Sequence, residues 1–142
     1  MRAENQNWLR LTGETAVILG KPDLVAESGG QFTISDGKTG SAGRSDYWQM
    51  LLYIYMLPKV WQNASLRVTG ELFYKDGNRI QVHPEEFTAD RRQETFALVR
   101  RIADSVAPAR TPSYAECRFC DVADCPERIE SDEGVSAVTE DF

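Results

Sequence analysis

Two carboxylates and an amine are the residues whose types and spacing can do chemistry. Pro22-Asp23 is followed, after twelve intervening residues, by Asp36-Gly37-Lys38. Phosphodiester hydrolysis calls for these types, because Mg²⁺ and Mn²⁺ are hard cations that favour carboxylate oxygens. Two aspartates on neighbouring strands can hold one such ion, with waters and the backbone carbonyl of Gly37 completing its shell. A lysine two residues beyond Asp36 projects from the same strand face. There it can orient or help deprotonate an attacking water and offset developing negative charge. The plainer alternative makes Asp23 and Asp36 turn-flanking surface acids, with Lys38 a solvated loop lysine.

The elements around these residues bear on which of the two holds. Residues 8–12 and 15–26 read as β-structure, with a turn at Gly13 and an interruption at Gly20-Lys21-Pro22. Ser28-Gly29-Gly30 is a tight connection, and residues 31–35 alternate polar and apolar as a strand does. The segment 15–26 and residues 31–35 therefore read as an antiparallel hairpin whose ends bring Asp23 and Asp36 together. After a loop of small residues, Ser45 or Asp46 caps a helix running over Tyr47–Leu57, with Pro58 as its stop. It is apolar nearly all round, so the pattern predicts burial against the sheet. Gln49, its one polar residue in mid-helix, shares a face with Tyr53 at i+4. A second hairpin is predicted over residues 65–74 and 79–83, turned by Lys75-Asp-Gly-Asn78. A second helix starts at Pro84 or Ala89 and runs to Val106, with Phe96 and Val99 at helical spacing. The order β-β-β-α-β-β-α predicts an α/β sandwich with a mixed sheet.

At these residues the chain resembles the RecB-like branch of the PD-(D/E)XK nuclease superfamily, a branch that includes AddB-type and CRISPR adaptation nucleases. The matching segments are Gly20-Lys-Pro-Asp23, Asp36-Gly-Lys38-Thr-Gly40 and Gln49-Met-Leu-Leu-Tyr53, which stand for GxxD, DxKTG and QxxxY in order. The resemblance implies a restriction-endonuclease-like α/β core, a four-stranded central mixed sheet flanked by helices. It makes Asp23 and Asp36 metal ligands, Lys38 the catalytic lysine, and Gln49 and Tyr53 the QxxxY pair. It further implies Mg²⁺ or Mn²⁺ as cofactor and DNA, single-stranded DNA included, as substrate. Relatives bring a further histidine or glutamate to the metal from an N-terminal helical region. Here the first strand comes almost at once, so a missing N-terminal region or a partner chain is one expectation. Glu14 is the weak local candidate for that ligand. His83, the single histidine, reads as a strand-end residue.

Cys117-x2-Cys120-x4-Cys125 resembles the C-terminal cysteines that help hold a [4Fe–4S] cluster in many relatives. Cluster or zinc ligation takes four ligands, so the three cysteines leave an iron–sulfur site, a zinc site and plain thiols open. The net charge of −6 is concentrated in residues 127–142, where six acids face one arginine. That segment reads as a flexible acidic tail, and residues 1–126 as a nuclease domain carrying the cysteine segment 117–125. The domain itself is nearly neutral, so local bases must meet any phosphate. Arg44, Lys59, Arg91-Arg92 and Arg100-Arg101 are the weak candidates. Tyr47, Trp48 and Trp61 could stack on bases, although core packing is the commoner fate of such rings. No apolar run approaches the roughly 20 residues that span a bilayer, and the polar start carries no secretory pattern, so the expected compartment is the cytoplasm. The residues support a metal-dependent deoxyribonuclease of repair, recombination, phage or defence systems. A non-catalytic nucleic-acid-binding or assembly module on the same fold is the competing reading.

Overall fold

The computed structural model describes residues 2–3, 7–107 and 112–131. The chain divides into two compact units, Met1–Ser105 and Val106–Phe142. The first contains a five-stranded mixed sheet, ordered in space as residues 2–3, 24–28, 31–38, 67–74 and 79–82. Four strands form its body: β4 (Leu24–Ser28), β5 (Gln31–Lys38), β6 (Arg67–Tyr74) and β7 (Arg79–Val82). A two-residue strand, β1 (Arg2–Ala3), adds a fifth at the β4 edge. Two further strands, β2 (Leu9–Thr12) and β3 (Val17–Gly20), pair with each other as a separate ribbon. The architecture is therefore the α/β, restriction-endonuclease-like one, with its mixed sheet flanked by helices.

Gly29 and Gly30 both have positive φ, at 59° and 79°, so the turn that closes the β4–β5 hairpin uses backbone that glycine adopts without a Cβ penalty. The pairing runs antiparallel from Ser28↔Gln31 to Leu24↔Ser35, which sets Asp23 across from Asp36. β5 and β6 are parallel, from Gln31↔Arg67 to Lys38↔Tyr74. Parallel neighbours need a crossover, and the helix α1 (Arg44–Val60) supplies it. Because that pairing continues past Ser35, β5 is longer than its alternating stretch suggests and carries Asp36, Gly37 and Lys38 within the strand.

α1 buries Met50, Leu51, Tyr53, Ile54, Met56 and Leu57 and touches β2, β5, β6 and β7. Gly70 of β6 permits its close approach: a Cβ there would lie 2.4 Å from the Met50 side chain. Two expectations about α1 are corrected. Pro58 lies inside the helix rather than ending it. It falls in the last turn, where only one backbone bond is lost, and the chain reseals through Trp61 N–H to Leu57 O at 3.0 Å. Neither Ser45 nor Asp46 is the N-cap; Gly43 takes that position without a side-chain bond, and Asp46 is engaged elsewhere.

After β7, Pro84–Glu86 makes one 3-10 turn, and α2 (Ala89–Ala103) follows, capped by Thr88, which accepts from Arg91 N. α2 ends three residues short of Val106. Its Phe96 meets Tyr55 of α1 at 5.4 Å between ring centroids. In the second unit a single helical turn, α3 (Tyr114–Cys117), leads into the cysteine segment. Of the acidic tail 127–142, residues 132–142 lie outside the described residues.

Candidate active site

Strand periodicity explains why a carboxylate sits at the edge of the core. Ile34 and Asp36 occupy successive positions on the face of β5 that looks toward α1, and both are buried, Asp36 at 5% exposure. Lys38 is next on that face. Its ammonium lies 2.6 Å from Asp36 Oδ2 and donates to Gln49 Oε1, also at 2.6 Å. Gln49 Nε2 in turn donates to the Tyr53 hydroxyl at 3.0 Å, so the i, i+4 pair on α1 works as one relay of hydrogen bonds. Asp23 stands exposed across the hairpin, and its Oδ2 accepts from Gly37 N–H at 2.8 Å. That bond pins Asp23 to the strand that carries Asp36 and Lys38.

Three participants were not legible as site residues. Asp46 lies 3.7 Å from the Lys38 ammonium and accepts from the Tyr74 hydroxyl at 3.1 Å. Its signal was present, since 46, 49 and 53 follow the i, i+3, i+7 spacing of one helix face, but a capping role absorbed it. Tyr74 is placed by the Lys38↔Tyr74 register, a non-local pairing. Asn7 is buried and donates long hydrogen bonds of 3.4 and 3.5 Å to the carbonyls of Pro22 and Asp23, holding the backbone beneath the first acid. The glycine of the GxxD segment also acquires a reason. A Cβ on Gly20 would lie 2.7 Å from the Tyr53 ring.

Electrostatics follow from this packing. Burial pulls the Lys38 pKa down, but the hydrogen bond and charge of Asp36, with the charge of Asp46, outweigh it and raise the pKa above its ordinary value. The lysine is therefore an ammonium at neutral pH. Burial raises the Tyr53 hydroxyl, against a backbone hydrogen bond at Lys21 and with the Asp36 charge adding to the rise. Tyr74 is raised by burial and by its bond to Asp46. Both phenols stay neutral, Tyr53 accepting from Gln49 and Tyr74 donating to Asp46.

The donor set suits a hard divalent ion. Mg²⁺ keeps several waters and is held by one or two carboxylates, and Asp23 and Asp36 are two carboxylates at matched register. Glu14 does not join them. It lies at the tip of the ribbon, roughly 17 Å along the strands from the Gly20 end, beside Phe96 and Arg100. His83 follows β7 level with Thr69 and Thr33, two strands across and three residues back from Asp36, and its N–H donates to Glu86 Oε1 at 2.7 Å.

The weaker phosphate candidates separate by position. Arg44 opens α1, two residues before Asp46. Lys59 is about 20 Å farther along the same helix, with its ammonium 4.7 Å from the Tyr55 ring centroid. Arg91 and Arg92 are engaged within the fold: Arg91 donates to Tyr47 Oη and Glu86 O, and Arg92 to Phe87 O. The aromatic candidates pack as well, Trp48 and Trp61 making edge contacts with Phe87 and Phe32.

The cysteine segment gives the cluster expectation no support. Cys117 is buried, Cys125 half-buried and Cys120 exposed, all as free thiols. Among the described residues, no group of three or more His, Cys, Asp or Glu side chains is arranged to hold a metal ion. Iron–sulfur ligation needs four thiolates converging, and this segment does not present them.

A buried carboxylate, a second acid fastened beside it and an ammonium shared with a helix glutamine come together at the end of a mixed sheet. Residues 2–125 match the sequence model of the PD-(D/E)XK nuclease superfamily, and the chain belongs to that superfamily. No curated protein and no solved structure matches significantly. Among the described residues, no helix is long and apolar enough to cross a membrane.

Proposed function

We propose that the protein is a deoxyribonuclease of the RecB-like branch that hydrolyses phosphodiester bonds with Mg²⁺ or Mn²⁺ held by Asp23, Asp36 and the Gly37 carbonyl. The observation that carries this reading is the Lys38 ammonium, 2.6 Å from both the Asp36 carboxylate and the Gln49 amide oxygen. A bound divalent ion supplies Lewis-acid activation of the phosphoryl oxygen and of water. Lys38 carries positive charge to the place where the phosphorane oxygens become more negative. Gln49, fixed at its other end by Tyr53, sets where that ammonium points. Asp46, itself held by the Tyr74 hydroxyl, adds a second carboxylate 3.7 Å from that ammonium.

DNA repair, recombination, phage biology or defence is the setting in which such an activity belongs. Cleavage of labelled DNA by the parent protein in Mg²⁺ or Mn²⁺, and none in EDTA, is the expected result. Asp23→Asn and Asp36→Asn should each lower the rate by about 100-fold or more, the loss of a few kcal/mol of charge stabilisation. Metal-independent cutting, or full activity in both variants, would overturn the reading.

A further inference from the structure

The ribbon β2–β3 has two faces. Leu9 and Gly20 are buried on the inner one, so the pleat places Trp8, Arg10 and Leu19 on the outer one, with Arg10 directly opposite Leu19. Trp8 is 61% exposed and Leu19 59%. The Lys21 ammonium lies 5.5 Å from the Trp8 ring centroid, which brings a second cation to this surface. Residues 7–12 and 17–22 carry these two cations and no acid, in a chain of net charge −6. Glu14, the ribbon's acid, is at the opposite tip.

The surface is continuous with the candidate active site. Lys21 precedes Asp23 by two residues. Leu19 also lines a groove of about 480 Å³ whose wall includes Asp46, Trp48, Gln49, Leu52 and Tyr53. An exposed indole flanked by cations is the combination that binds unpaired nucleotides: a base stacks on the ring, and the cations follow the phosphates. A stacked duplex keeps its base faces covered and cannot use the indole in this way.

We propose that the outer face of the ribbon, formed by Trp8, Arg10, Leu19 and Lys21, binds single-stranded nucleic acid and leads it to Asp23 and Lys38. This rests on the nuclease reading for its direction, but binding can be measured apart from hydrolysis. The test is fluorescence anisotropy of the full chain with labelled oligo(dT) and with a blunt duplex of equal length, in EDTA, where the proposed hydrolysis does not run.

The parent should prefer the single strand. Trp8→Ala should weaken that binding by about 5- to 150-fold, the loss of one stacked base, while Trp8→Phe, which keeps a ring on the same backbone, retains most of it. Arg10→Ala should reduce the slope of log affinity against log salt by about 0.7, one phosphate contact on a single strand. Leu98→Ala, a similarly exposed residue on α2 at 56%, should bind as the parent does. Equal affinities for parent and Trp8→Ala, or no binding by the parent, would overturn the proposal. So would a parent dimer that Trp8→Ala converts to monomer, which would make the ribbon an interface between copies. A ribbon that binds while the DNA-cleavage test fails would retire the catalytic reading and leave this one standing.

Discussion

A lysine whose pKa is raised by a carboxylate 2.6 Å away acts as a charge before it acts as a base. Its contribution to stability has a defined pH window. The folded-state pKa lies above the unfolded one, so the stabilisation is complete below the ordinary lysine range near 10.4 and is lost only as pH rises through the folded value. Lys38→Met, which keeps the stem and removes the charge, leaves the buried Asp36 without its cation. In EDTA at pH 7 it should be less stable by about 1–3 kcal/mol, and the gap should persist to about pH 10 and close above it. Urea denaturation of both proteins across that range checks this, and a gap that closes by pH 8 would contradict the assigned pairing. At this scale the sequence was informative where the argument was local. Asp36 and Lys38 share a face because strands repeat every two residues, and Gln49 and Tyr53 share one because helices repeat every 3.6. Tyr74 and Asn7 were hidden, because their positions depend on pairing and packing across the fold.

α1 shows the same division among elements. Its burial was readable from a nearly continuous apolar surface, whereas its role as a crossover follows only from the parallel register of β5 and β6. Its length was not, because a proline in the last turn costs one hydrogen bond while the buried Met56 and Leu57 hold that turn against the sheet. The separate ribbon was also beyond a sequence reading. Residues 15–26 are β-forming throughout, and only the Gly20-Lys-Pro break divides them between two sheets. Contact between α1 and the sheet depends on Gly70, where a Cβ would meet Met50 at 2.4 Å and Ile54 at 3.1 Å. Gly70→Ala should cost about 1–3 kcal/mol through overpacking. An unchanged urea midpoint would mean that the helix stands farther from β6.

At the level of the whole chain, the division at residue 105 separates the acid–lysine site from the cysteine segment. With the three cysteines as ordinary thiols of differing burial, a thiol reagent applied to native protein should react quickly with Cys120, more slowly with Cys125 and slowest with Cys117. Three thiols that stay blocked until a chelator is added would instead reveal a bound metal. The sequence left this segment open because spacing alone cannot show whether thiols converge.

The central claim is that Asp23, Asp36 and Lys38 form one hydrolytic site, and the most direct test is single-turnover cleavage of labelled DNA by parent and Lys38→Ala at saturating Mg²⁺ or Mn²⁺. Removing one charge that stabilises the transition state should lower the cleavage rate by about 100- to 1,000-fold while DNA binding persists. Equal cutting by the two proteins would contradict the account.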